Sequence, residues 1–339
     1  MTHDRLRGAF TGLAIGDAAG WPSGRHRFGL LAPWTRRLAR ELDLFAEEHR
    51  VTSLPVPFAL NQPVAPLALG PSDDAEWLAW TARTIGRDRA AAFTDLAGRD
   101  DVRARISVRT ALDHLRKGTG PPVSGHDNPH HFDDAAAVRA VAFGAAHRGA
   151  PEAAARAAEA DAQVTNALDG VAAARAVAAA TAAAVGGADA EAAVAAAVAE
   201  LPADTAIGAA ARAAQALPGD DPFALVPALE EVCADHVYSY GTAAADTVPA
   251  ALALTRASAG RLGAAVPAAA CLAPLADSLP ALTGALTGAL TGYAAQPEAW
   301  RERARRLAGC CLPELAGLDL LAVADELAAA TGHHDEGVS

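Results

Sequence analysis

Aromatic side chains are scarce in this chain: Phe, Trp and Tyr together make up 5% of its 339 residues. β-Sandwiches and barrels draw on aromatic and β-branched residues for their pleated faces. Alanine dominates the apolar share instead, which favours many closely packed helices. Basic residues are also in deficit, 28 Lys and Arg against 40 Asp and Glu, for a net charge of −12. That balance argues against nucleic acid, whose phosphates need a basic footprint. An anionic small molecule stays open if a metal or a few local arginines receive it. Cysteine is limited to Cys233, Cys271, Cys310 and Cys311. Their spacing matches no zinc or thioredoxin-like pattern and the adjacent pair suggests no disulfide framework, so a reducing cytoplasm fits best. Residues 1–20 lack the basic start and cleavage-type ending of a signal peptide. The one long uncharged run, Ser278 to Pro297, has more Gly and Thr than Leu and follows directly on Asp277. It reads as a buried core helix, with no membrane span.

What is present suffices for a large core: 52% of residues are apolar and 20% charged, which excludes global disorder. Residues 4–20 alternate small and apolar side chains at helical spacing, with Gly8, Gly12, Gly16 and Gly20 every fourth residue. Glycine costs about 1 kcal/mol against alanine inside a helix, so such a stripe implies the close approach of another backbone. A second stripe, Gly284, Gly288 and Gly292, is its candidate partner. Asp17 stands alone in the first helix and reads as a satisfied structural aspartate ahead of a direct ligand. Leu38 to Arg50 reads as an amphipathic helix, and Pro55, Pro57, Pro63 and Pro66 make residues 51–70 irregular. Helical patterns follow over Asp74–Thr84, Val102–Lys117 and Ala135–His147, then three or four alanine-rich helices over 151–216. No strand is convincing. Residues 330–339 read as a disordered tail. The expected fold is all-α, one compact multi-helix domain spanning 1–339.

Two clusters carry candidate chemistry. In Ser72-Asp73-Asp74-Ala75-Glu76 the serine reads as an N-cap, with both aspartates in the first turn at the positive end of the helix dipole. The sharper alternative is an all-oxygen platform for a hard cation such as Mg²⁺. Asp277-Ser278 repeats the pairing of hydroxyl and carboxylate 200 residues later, at the start of another helix. Asp133-Asp134 opens the helix at Ala135 and has the same bland reading, a charged N-terminus. The nearby histidines His126, His130 and His131 have no regular ligand spacing for zinc. Tyr238-Ser239-Tyr240-Gly241-Thr242 is a turn before a helix, placed either to meet phosphate or ribose or simply to cap.

Taken in order, these motifs resemble the ADP-ribosylglycohydrolase family, over roughly residues 5–310. Gly8 to Gly20 is similar to the family's opening helix, and Ser72-Asp-Asp-Ala-Glu76 to its Thr-Asp-Asp-Thr-Glu. Asp134-Ala-Ala-Ala-Val-Arg139 stands for Asn-Gly-Ala-Ala-Met-Arg, and Thr165-Asn166 for Thr-His. Tyr238-Ser-Tyr-Gly-Thr242 with Asp246-Thr-Val-Pro-Ala250 is similar to the substrate-binding turn and the helix after it. Ala273-Pro-Leu-Ala-Asp-Ser278 replaces Gly-Gly-Asp-Thr-Asp-Thr, ahead of Gly284-Ala-Leu-Thr-Gly288.

The resemblance implies an all-helical orthogonal bundle and a magnesium-dependent hydrolase of ADP-ribosyl bonds. The implied metal ligands are Ser72, Asp73, Asp74, Asp277 and Ser278. Leu275 offers no donor atom where the family has an aspartate, and Gly24 stands where many members have a glutamate. One magnesium ion is therefore expected, with the second bound weakly or not at all. By the same resemblance, Asp73 or Asp74 would orient or deprotonate the attacking water. Asp134, Tyr238, Ser239, Tyr240 and Gly241 would meet the substrate. Negative charge at Asp133-Asp134 points to an altered substrate, less phosphorylated or cationic. Two further readings are a catalytically inactive homologue that binds ADP-ribose or a nucleotide, and a different chemistry on the same fold in specialised metabolism.

Overall fold

In this computed structural model the described residues are 1–20, 48, 70–234 and 241–332, and their regular structure is helical. Isolated bridges of Asp133 with Ala243 and Arg306 with Asp319 are the strand-like pairings among them. The helices run α1 Thr2–Gly20, α2 Asp73–Thr84, α3 Arg89–Ala97, α4 Ile106–Arg116, α5 Val123–His126, α6 Ala135–Ala146, α7 Pro151–Thr165 and α8 Asp169–Gly186. They continue as α9 Ala190–Ala199, α10 Ala206–Ala216, α11 Pro222–Cys233, α12 Ala244–Ala257, α13 Leu262–Cys271, α14 Leu279–Thr291, α15 Glu298–Ala304 and α16 Leu320–Gly332. No helix among the described residues is long and apolar enough to cross a membrane.

The two glycine stripes meet. Gly8 lies against Gly288 and Gly292, Gly12 against Gly284, Gly16 against Pro280, and Gly20 against Ala276, so α1 and α14 run antiparallel. A Cβ built on Gly12 would sit 2.1 Å from the carbonyl oxygen of Gly284, and one on Gly284 would sit 2.0 Å from that of Gly12. Only hydrogen atoms fit between these backbones. Both helices are buried along most of their length; of the uncharged run Ser278–Pro297 expected as a core helix, Leu279–Thr291 is one, and Gly292 ends it. This register sets the start of α14, with Asp277 and Ser278, beside the end of α1, with Asp17.

Around this pair the alanine-rich helices pack through small side chains. Ala173, Ala176, Ala180 and Ala184 of α8 and Ala136, Ala140 and Ala145 of α6 all belong to one continuous cluster of buried apolar residues. Leu275, on a short 3₁₀ turn before α14, is fully buried in the same cluster. Its side chain is part of the hydrophobic packing, which accounts for a leucine at a place where the resemblance implies a metal ligand.

Two local expectations need correction. The helix expected from Val102 begins at Ile106, with Arg105 as its N-cap in extended backbone. Residues 102–105 thus form a bridge across the molecule, held in part by the Arg103 N–H donating to the Cys311 carbonyl at 2.9 Å. At the start of α2, Ser72 is the N-cap residue but its side chain makes no capping bond; a remote carboxylate does that work, as described below. Apart from Glu48, which is helical, the helix expected over Leu38–Arg50 lies outside the described residues, as do Gly24 and the proline-rich residues up to 69. So do Tyr238, Ser239 and Tyr240, and the tail beyond residue 332. Residues 330–332 close α16 instead of belonging to that tail.

Candidate functional site

Three separate segments bring acidic side chains to one place. Asp73 and Asp74 open α2, Asp134 precedes α6, and Asp277-Ser278 precedes α14. The first pair is positioned by Asp17 of α1. Its Oδ2 accepts the backbone N–H of Ser72 at 2.6 Å and that of Ala75 at 3.1 Å, and its Oδ1 accepts the Ser72 hydroxyl at 2.5 Å. One carboxylate, fully buried, therefore serves both N–H groups that a capping box would satisfy from within the helix. Asp17 is the structural aspartate its surroundings suggested.

Asp134 is fixed by the segment before α12. Its N–H donates to the Thr242 carbonyl at 2.9 Å, and the Ala244 N–H donates to the Phe132 carbonyl at 3.0 Å. Asp133 points the other way. Its Oδ1 accepts the Asn166 amide at 2.9 Å and the Ala135 N–H at 3.2 Å. Asn166 takes the Thr165 hydroxyl, which in turn accepts from Arg139 at 2.7 Å. Arg139 and Arg89 share Asp161 in a buried ion triad. Thr165-Asn166 is thus a buried tie between α7 and the loop carrying Asp133-Asp134. Gly241 has φ +72°, in the left-handed region open to glycine, at the end of the turn that leads into α12.

The finding that sequence reading missed is Arg105. Its guanidinium sits among the acidic groups. Nη1 donates to Asp134 Oδ1, and Nη2 donates to Asp74 Oδ1 at 2.9 Å and to the Ser278 hydroxyl at 2.5 Å. Nη2 also lies 3.5 Å from Asp277 Oδ2, and Nε lies 3.8 Å from Asp73 Oδ2. Four of the five expected metal ligands, and the expected substrate residue Asp134, therefore surround one arginine. Ser72, the fifth, gives its hydroxyl to Asp17.

The electrostatics follow from this enclosure. Burial works against charge on Arg105, but Asp134, Asp74, Asp277 and Asp73 outweigh it and keep the guanidinium protonated well above its ordinary range. Burial pushes the Asp134 carboxyl up to about 7; Arg105 opposes the rise, while Asp133 and Asp277 add to it. Among the described residues, four carboxylates face one arginine, so the balance of these groups is negative. Asp73 and Asp277 reach solvent, at 19% and 16% side-chain exposure, whereas Asp74 and Asp134 are closed in behind them.

This arrangement does not fit a magnesium ion. Mg²⁺ needs oxygens converging to about 2.0–2.1 Å in an octahedron. Here the oxygens are spaced around a planar fork of nitrogens that fills the space between them. Elsewhere among the described residues, Glu76, Cys310 and Cys311 bring ligand atoms within 4.8 Å of one another, a possible metal-binding group. Its carboxylate already accepts the N–H groups of Cys310, Cys311 and Leu312 at 2.7, 2.7 and 2.9 Å. These bonds make Glu76 a tie between α2 and the C-terminal segment. His126, His130 and His131 join no such group among the described residues.

The comparisons with known proteins agree with this architecture. The family model described as ADP-ribosylglycohydrolase matches residues 1–336. A solved structure titled "ADP-ribosylglycohydrolase-related protein complex" superposes with a TM-score of 0.62 at 20% identity, over 97% of this chain and 99% of that one. At that identity the likeness concerns the fold. No curated protein sequence matches the chain.

Proposed function

Since this chain belongs to the ADP-ribosylglycohydrolase family, we propose that it hydrolyses the glycosidic bond of an ADP-ribosyl or related N- or O-riboside. The observation that carries this reading is the convergence of Asp73, Asp74, Asp134 and Asp277 around Arg105 from the starts of α2, α6 and α14. Breaking a bond at an anomeric carbon builds oxocarbenium-like positive charge, and an acidic cluster with a net negative balance favours that charge. Asp73 is the solvent-facing carboxylate suited to orient a water and take its proton as general base. Asp74 stands behind it, held by Arg105, and keeps the pair in place. Asp277, partly exposed like Asp73, approaches Arg105 Nη2 from the start of α14.

The same charge balance bears on substrate class. A diphosphate placed against these carboxylates would be repelled, so the phosphates of an ADP-ribosyl substrate must lie away from them, toward the turn containing Gly241. A riboside with less phosphate, or with a cationic leaving group, meets no such constraint. The magnesium suggested by the resemblance has no part in this scheme.

The test is to incubate the full chain with ADP-ribosyl-arginine, ADP-ribosyl-serine, NAD and unphosphorylated N-ribosides, following release chromatographically. Release from at least one of them, reduced about 100-fold or more by Asp73→Asn, is the expected result. Release from none, by protein that is folded, would sink the hydrolase reading. A binding protein without turnover is the second reading, favoured by Leu275 being committed to the core. Calorimetric binding of ADP-ribose without release of product would establish it.

A further inference from the structure

We propose that Arg105 is the built-in cation of this cleft, a side chain doing permanently what an exchangeable divalent ion would otherwise do. Its three guanidinium nitrogens reach Asp73, Asp74, Asp134, Asp277 and Ser278, groups from three helix starts separated by up to 205 positions in the chain. No one of those helix starts would tolerate the others' carboxylates without a positive charge between them, since like charges a few ångströms apart repel strongly where solvent is scarce. The guanidinium side chain is only 13% exposed, so solvent ions cannot easily share its place.

The backbone is shaped for this delivery. Residues 102–105 are outside any helix, Arg105 is the N-cap residue of α4 in extended backbone, and the Arg103 N–H is anchored on the Cys311 carbonyl. Had α4 begun at Val102, as its sequence pattern suggests, Arg105 would lie within the helix with no such reach. The fork geometry of arginine matters too. A lysine would provide one point charge, whereas the guanidinium bonds Asp134 through one nitrogen and Asp74 with Ser278 through the other.

Two consequences separate this inference from the hydrolase reading, because both concern cation occupancy and neither needs a substrate. The unaltered chain has no vacancy for a divalent ion in the cleft. Removal of the guanidinium leaves carboxylates and a hydroxyl already gathered, which is a hard-cation site by chemistry. The experiment titrates Mn²⁺ into the full-length protein and into Arg105→Ala, followed by electron paramagnetic resonance of the free ion, with circular dichroism to confirm folding.

The unaltered protein is expected to show no saturable binding at millimolar Mn²⁺. Arg105→Ala should bind Mn²⁺ on the order of 100-fold or more tightly, and the gain should vanish when Asp277→Asn is added. Dependence on Asp277 excludes the Glu76–Cys310–Cys311 group as the source. If Arg105→Ala is unfolded alone but folds when Mn²⁺ is supplied, the proposal is supported by linkage. If it folds with neither, Arg105→Gln takes its place in the same titration. Saturable binding by the unaltered chain that Asp277→Asn abolishes would overturn the proposal. So would a folded, charge-deleted variant that gains no binding.

Discussion

Asp17 and Ser72 lie 55 positions apart, yet the carboxylate of the first accepts both the backbone N–H and the hydroxyl of the second. The third bond, from the Ala75 N–H, makes Asp17 the cap of the helix that presents Asp73 and Asp74. Replacing Asp17 by Ala leaves two buried N–H groups without their acceptor, while the Ser72 hydroxyl keeps only its longer bond to Asp73 Oδ1 at 3.2 Å. The expected loss is about 3–5 kcal/mol of stability, from a lost cap plus unsatisfied buried donors. Chemical denaturation of the Asp17→Ala protein measures it, and a loss under about 1 kcal/mol would mean the helix start is held by something else.

The contact of α1 with α14 predicts a contrast between two glycines. Gly12→Ala puts a methyl group 2.1 Å from the Gly284 carbonyl oxygen, so the helices must separate, at a cost of about 3 kcal/mol. Gly263, on α13, has nothing within 4 Å of a built Cβ and an ordinary backbone angle. There an alanine should be neutral or stabilise by about 0.5–1 kcal/mol through the unfolded chain. Thermal midpoints of the two variants should therefore move in opposite directions, or the second not at all.

Arg7 donates two hydrogen bonds of 2.6 Å to Asp325, joining α1 to α16. Those bonds hold the Asp325 carboxyl below its ordinary range, against a partial burial that raises it. A carboxylate whose pKa falls on folding contributes stability above its unfolded pKa, near 4, and the contribution disappears as pH drops through the folded value. The pair is more than a third exposed, so the effect is small, under about 1 kcal/mol. Asp325→Asn should lower the thermal midpoint slightly at pH 7, and the difference from the unaltered protein should close as pH falls below about 3. A difference that persists or grows in acid would contradict the ion pair.

The sequence announces features that are written in local spacing. Glycine at every fourth position reveals a close backbone approach even without its partner, and the second stripe supplied that partner. The repeated pairing of hydroxyl with carboxylate at Ser72-Asp73-Asp74 and Asp277-Ser278 marked two of the segments that meet in the cleft. Features that depend on distant partners stayed hidden. Ser72 obeys the local rule for an N-cap, yet Asp17 overrides it from another helix. Arg105 falls in a stretch whose apolar spacing reads as helix from Val102, and one arginine among 28 Lys and Arg residues has no mark of its own. Nothing adjacent to Leu275 or Glu76 says that one joins the core and the other gathers three N–H groups from 234 to 236 positions away.

That last tie has a consequence for where the protein can be cut. Glu76 sits two residues beyond Asp74 on α2, and its acceptors are filled by Cys310, Cys311 and Leu312. The recognisable motifs end near residue 310, which would tempt a designer to shorten the chain there. Such a truncation would strip a buried carboxylate of the Cys311 and Leu312 donors, within a turn of Asp73 and Asp74. The C-terminal segment is thus a keystone for the site, although it contributes no side chain to it.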